Sequence, residues 1–197
     1  MPTITEGNLR FEFPDEWQAS KFDDWGFYRT QFMRELACTC NWCDGQLRCS
    51  TCNRRVSTGP KGIDILAIAT TRICWHIEIK DYRRQALAEY EFLADAVAEK
   101  VKDTLAALVI ARISARDEEE KTQARDALQC DGMRIVLHLE QPRTRSRLHP
   151  VSTRQANVQQ RLRQLVRTID RDAVVVSMAT IADHKLAWTV HPNREAG

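Results

Sequence analysis

The chain has 197 residues, 43% of them hydrophobic, and its Lys and Arg exceed its Asp and Glu by only two charges. That length supplies one domain with a sizeable core, and a balance so near neutral does not by itself announce nucleic-acid binding. No apolar run reaches the roughly 18 residues of a membrane span, and Met1–Glu6 lacks the basic-then-apolar design of a secretory signal, so a cytoplasmic protein is expected.

In chain order, residues 8–13 alternate and predict a short strand ended by Pro14. Asp15 is placed to cap a helix. Trp17, Phe22, Trp25, Phe27, Tyr28, Phe32 and Leu36 recur at mixed near-helical steps, which predicts one amphipathic helix over 15–36, broken near Gly26.

A cysteine-rich stretch follows. Cys38, Cys40, Cys43, Cys49 and Cys52 crowd together, and the total of 7 cysteines is odd. Such clustering argues for a metal rather than a disulfide framework. Two Cys-x-x-Cys pairs predict a closed tetrahedral Zn²⁺ site of Cys40, Cys43, Cys49 and Cys52, inserted as a loop at 38–53, with Asp44-Gly45 turning the chain between them. An iron–sulfur cluster is the rival occupant. Cys38 is a spare or a substitute for Cys40. Cys74 and Cys130 sit in apolar surroundings and read as core residues.

Arg54 to Lys61 is a polar linker, and then the pattern changes to Gly62-Ile63-Asp64-Ile65-Leu66-Ala67-Ile68 and Ile73-Cys74-Trp75-His76-Ile77-Glu78-Ile79-Lys80. Two β-branched, apolar runs around Thr70-Thr71-Arg72 predict a hairpin. With a three-residue loop at 70–72, Asp64 faces Glu78 with Cβ atoms about 5 Å apart. Lys80, two residues on, projects from the same face. A shift of one residue would put the two acids on opposite faces. Such acids suit a hard divalent ion, Mg²⁺ or Mn²⁺, with the carbonyl of Ile79 as a third oxygen. His76 reads as a core histidine rather than a ligand, and Asp81 as a cap.

Beyond the hairpin, residues 85–112 carry a helical stripe of Leu87, Tyr90, Leu93, Val97, Val101, Leu105 and Leu108, as one helix or two with a bend. A charged helix is predicted over 117–129 and a strand over 133–139. An exposed basic loop, with Arg143, Arg145 and Arg147, covers 141–153. A helix is predicted over 154–169, a buried strand over 173–178, and an edge strand over 186–190.

The spacing Asp, thirteen residues, Glu-Ile-Lys resembles the PD-(D/E)XK nuclease superfamily, with Ile63-Asp64 in place of its leading Pro-Asp. The resemblance implies an α/β fold with a mixed central sheet, helices on both faces, and a restriction-endonuclease-like αβββαβ core. The third strand of that core would be the one near 8–13. It implies a single nuclease-like domain over 1–197 that hydrolyses phosphodiester bonds, chiefly of DNA, in restriction, anti-phage defence or repair. Asp64 and Glu78 would hold the metal, and Lys80 would orient or deprotonate the attacking water. Arg54, Arg55, Tyr82 and Arg83 would line the nucleic-acid path. The chain has no Gly-x-x-x-x-Gly-Lys-Ser/Thr loop, so a helicase or ATPase partner would be another polypeptide. The alternative is a zinc-stabilised nucleic-acid-binding or scaffold subunit without turnover, or a homodimeric structural partner.

Overall fold

The computed structural model describes residues 1–32, 60–83, 92–141 and 151–193, with side chains of the last stretch from 155 onward. Thr3–Glu6 (β1) and Leu9–Glu12 (β2) form a hairpin. Gly7 takes the first central position of its two-residue turn at φ 53, a backbone that glycine adopts without steric cost. Gln18–Lys21 (β3), Ile65–Ile68 (β4) and Ile73–Asp81 (β5) follow. Next come two helices, Leu93–Ser114 (α1) and Glu118–Leu128 (α2). Gly132–Glu140 (β6), helix Val151–Leu165 (α3), Val174–Val176 (β7) and Thr189–Pro192 (β8) complete the described elements.

The central sheet runs β3-β4-β5-β6-β7, and a second sheet runs β1-β2-β8. β3, β4 and β5 are antiparallel neighbours, while β5, β6 and β7 are parallel. The sheet is mixed and the class is α/β, as expected from the sequence.

The two parallel crossovers step the same way across the sheet. A right-handed connection therefore sets α1, α2 and α3 on one face. Their buried residues, among them Val97, Val101, Leu108, Ala124, Val158 and Leu162, join Leu66, Cys74, Leu137 and Leu139 in one core. The opposite face packs on the small sheet instead. There Leu9, Phe11, Phe13, Trp188 and Val190 meet Ile65, Ile77, Ile79 and Val136. Trp17 stacks on Trp75 at 6.3 Å, and Trp188 meets Trp75 edge-on at 5.0 Å. Helices on both faces are thus not found among the described residues; the second face is covered by strands.

Of the helix expected over 15–36, residues 33–36 lie outside the described residues, and 15–32 hold β3, a short 3₁₀ turn at Phe22–Asp24 and one wide turn at Tyr28–Phe32 instead. The backbone edge of β4 needs a partner, and Gln18–Lys21 supplies it from Gln18↔Ile68 to Lys21↔Ile65. Tertiary pairing overrides the near-helical spacing of the aromatics. Phe22, Trp25, Phe27 and Tyr28 are all buried and turn into the helix-side core without one continuous α-helix. Glu120 on α2 holds the wide turn by accepting from Gly26 N at 2.5 Å and Phe27 N at 2.9 Å.

The third strand of the central sheet is therefore β3, not the segment near 8–13, which belongs to the small sheet. With no opening helix, the αβββαβ order is not seen in the described residues. The helix predicted from 154 begins at Val151, inside the segment expected as a loop, and the last strand falls at Thr189–Pro192 in the small sheet. The five clustered cysteines, Arg54, Arg55, and Arg143 to Arg147 lie outside the described residues. Among those described, no helix is long and apolar enough to cross a membrane.

His76 is 0% exposed, and neither ring nitrogen has a partner among the described residues. Burial lowers its pKa to about 4. The unfolded chain takes up this proton near pH 6.5, so the stability owed to a neutral His76 is complete above that pH and is lost as pH falls toward 4. Its full size is about 3 kcal/mol, from roughly 1.4 kcal/mol per pKa unit. In urea denaturation, His76→Leu is expected to lose about 2 kcal/mol less than the parent between pH 7 and pH 4.5.

Candidate functional site

The site sits where the β4–β5 ladder runs out. Ile65 pairs with Ile77 and Leu66 with His76, the register that places Asp64 opposite Glu78, as the sequence predicts. The turn closes with Ala69 N–H donating to Ile73 O and Arg72 N–H to Ala69 O. Arg72 takes a left-handed φ of 59, which closes a three-residue hairpin loop without slipping the register.

One step past Ile65, main-chain pairing with β5 stops. The Asp64 carboxylate takes its place, with Oδ2 accepting from Ile79 N at 2.6 Å. The surrounding chain is fixed on three sides. Phe22 N–H donates to Asp64 O at 2.9 Å, Ile63 N–H to Thr104 Oγ1 at 3.0 Å, and Gly62 N–H to Tyr28 Oη at 2.5 Å. A Cβ on Gly62 would lie 2.7 Å from Cδ1 of Phe22, so the close approach requires glycine here.

Glu78 is 1% exposed. Its Oε1 accepts from two ammoniums, Lys80 Nζ at 2.6 Å and Lys100 Nζ at 2.6 Å. Lys100 also reaches Asp64 Oδ1 at 3.4 Å. Two carboxylates and two ammoniums thus share one half-open site, and their charges cancel. Burial, and next the charge of Asp64, push the Glu78 carboxyl above its usual range against the pull of Lys100 and Lys80. For Lys100, burial would lower the ammonium, but Glu78 and Asp64 outweigh it and hold it raised.

Lys100 was not among the residues singled out from the sequence. Its signal is its place on α1, three residues after Val97 and four before Thr104, on a buried stripe. A lysine at such a position must find an acid. Nothing in the sequence selects Asp23 over its neighbouring acids, Asp24 and Glu35. Asp23 is half-buried, its Oδ1 has no partner among the described residues, and burial raises its pKa, with Asp64 adding to the rise.

The other expectations resolve differently. Arg83 forks onto Asp81 at 2.8 and 2.6 Å, and Asp81 also caps Arg83 N at 3.1 Å. Tyr82 packs against the helix-side core. Both are engaged within the protein rather than presented as a free phosphate track. Among the described residues no group of three or more His, Cys, Asp or Glu is placed to hold a metal. The carboxylate pair is short of donors, since its lysines already occupy Glu78 Oε1. The feature that suits a cation is Glu78 Oε2, buried and without a partner among the described residues.

No family model matches the chain, and no solved structure matches it. A search of curated proteins finds a cysteine–tRNA ligase of Neisseria meningitidis, 37% identical over 168 residues, which is 80% of this chain. The chain spans about a quarter of that relative's length, 24%. This similarity over most of the chain overturns the resemblance to PD-(D/E)XK nucleases, which rested on three residues. Phosphodiester hydrolysis and the Mg²⁺-dependent endonuclease role are corrected with it. DNA as substrate, the defence setting and the helicase partner lose their support, because that resemblance alone supplied them. The convergence of Asp64, Glu78 and Lys80 is a fact of the fold; the family drawn from it is not.

Removing one partner of a buried pair leaves an uncompensated charge, at a cost of about 3–5 kcal/mol when nothing replaces it. Lys80 still pairs with Glu78, so Lys100→Met is expected to cost roughly 2 kcal/mol by urea denaturation. Glu78→Gln in the same chain should recover part of that loss.

Proposed function

We propose that this chain is an RNA-binding module of a tRNA-ligase system, and that it engages tRNA through the Asp64, Glu78, Lys80 and Lys100 cluster. The observation that carries this reading is the 37% identity to a cysteine–tRNA ligase across 80% of the chain. The chain corresponds to only 24% of that protein, so what is proposed is recognition of the nucleic acid, not the joining of amino acid to tRNA.

The cluster suits a phosphate backbone that arrives with a divalent ion. Asp64, Glu78 and the Ile79 carbonyl offer hard oxygen donors for Mg²⁺ or Mn²⁺. In an extended strand the N–H and C=O of one residue point to the same side, so the Ile79 carbonyl faces the edge where its N–H meets Asp64. A cation there would satisfy Glu78 Oε2 and release Lys80 and Lys100 from Glu78 Oε1 toward phosphate. Arg83 stays with Asp81 and acts as a brace. Arg163 and Arg167, with Gln160 and Gln164, line a shallow groove of about 400 Å³ along α3 and just past its end, which offers a second cationic surface for the backbone.

Fluorescence anisotropy with a tRNA transcript and with a DNA duplex of equal length tests this. The tRNA should bind more tightly, and Mg²⁺ should strengthen its binding. Lys80→Ala should weaken tRNA binding several-fold and reduce the salt slope by about one, and Asp64→Asn should remove the Mg²⁺ effect. Absence of tRNA binding at low salt, with or without Mg²⁺, would reject the proposal.

The four-cysteine site of the sequence reading is proposed as a structural Zn²⁺ centre of the same module. Elemental analysis should find about one zinc per chain. A Cys43→Ser, Cys49→Ser double variant should lose it while keeping the Asp64–Glu78 cluster intact.

A further inference from the structure

Two cysteines lie near the opposite end of β5 from Glu78 and Lys80. Cys74, the second residue of β5, is 0% exposed in the helix-side core, while Cys130, in the turn between α2 and β6, is partly exposed. Parallel pairing of Ile73 with Gly132 and Cys74 with Met133 draws the start of β5 to this turn. Cys74 lies in the helix-side core and Cys130 packs against that same core. Cys130 Sγ also lies 3.4 Å from Asp126 O as a donor.

The turn is held firmly around them. Arg72 forks onto the Asp131 carboxylate at 2.8 and 3.2 Å and donates to Gln129 O at 2.5 Å. Asp131 N–H donates back to Arg72 O at 2.8 Å. Both cysteines lie outside the 38–53 cluster, and neither takes part in the acid–lysine site.

We propose that Cys74 and Cys130 form a redox-active dithiol that closes to an intramolecular disulfide when a hydroperoxide reaches Cys130. Cys130 is the attacking thiol because it is the accessible one. Cys74 beside it, and then the Arg72 charge, hold the Cys130 thiol below its ordinary range. The same contact, with burial, keeps Cys74 protonated. A thiolate is the form that reacts.

The Cys130 thiolate attacks a peroxide oxygen, and the O–O bond breaks. The leaving oxygen takes a proton to give water or an alcohol, and Cys130 becomes a sulfenic acid. Cys74 then attacks the sulfenic sulfur. Its proton leaves with the hydroxide as water, and the S–S bond forms. Two thiols and one hydroperoxide thus give one disulfide, one water, and a second water or an alcohol. The bond would tie the strand that carries Glu78 and Lys80 to the turn that feeds β6.

The test treats the folded full-length protein with a small excess of hydrogen peroxide, unfolds it in N-ethylmaleimide, digests it with trypsin and reads the peptides by mass. Residues 73–80 and 126–134 fall on separate tryptic peptides. The expected product is these two joined, lighter by two hydrogens and separated by reductant. Cys74→Ser should leave a Cys130 sulfenic acid that dimedone traps, and Cys130→Ser should leave Cys74 as a free thiol that is alkylated after unfolding. Circular dichroism confirms that both variants are folded. Recovery of both cysteines as free thiols after peroxide treatment of the parent protein would overturn the proposal. Pairing of either with a cysteine of 38–53 or with a second chain would also overturn it.

Discussion

One substitution in a hydrogen-bond ladder organises this protein. Where main-chain pairing between β4 and β5 ends, the Asp64 carboxylate takes the N–H of Ile79 that a strand would have taken. That bond sets Asp64 against Glu78 at the end of the sheet. It holds only because the hairpin register is fixed, and the register is fixed because Ile65, Leu66, Ala67 and Ile77 are all buried. A slip of one residue would exchange the two faces, each of which packs against its own core.

The second constraint is charge. Glu78 lies under α1 and is nearly sealed from water, so it must be neutralised. Lys80 from its own strand and Lys100 from α1 do this on a single oxygen. Such a balanced buried group is weak evidence of stability, since apolar side chains of similar volume would serve that end as well. Under the proposed function, a cation and a phosphate arriving together would draw the lysines off their acid.

The family question shows how far local geometry reaches. Two acids and a lysine at the end of a β-ribbon are compatible with several chemistries, and shared site geometry or fold does not establish shared function. Similarity to a cysteine–tRNA ligase extends over 80% of the chain and outweighs a three-residue signature. It also moves the proposed partner from DNA to RNA, while the site itself, carboxylates beside ammoniums, is unchanged.

Short-range patterns were legible in the sequence. Alternating β-branched residues around Thr70-Thr71-Arg72 fixed the β4–β5 hairpin and the facing of Asp64 and Glu78. Asp117 and three glutamates after it marked the start of α2. The apolar stripe identified α1 from Leu93 onward. Long-range choices were not legible. Gln18–Lys21 became a strand because β4 lacked a neighbour, and nothing in those four residues announces it. Placement of the helices on one face follows from the handedness of two crossovers, and the small sheet then had to cover the other. Lys100 reached Glu78 from a segment 22 positions away. Periodicity reports which face of an element is apolar; only packing decides which charge that face will meet.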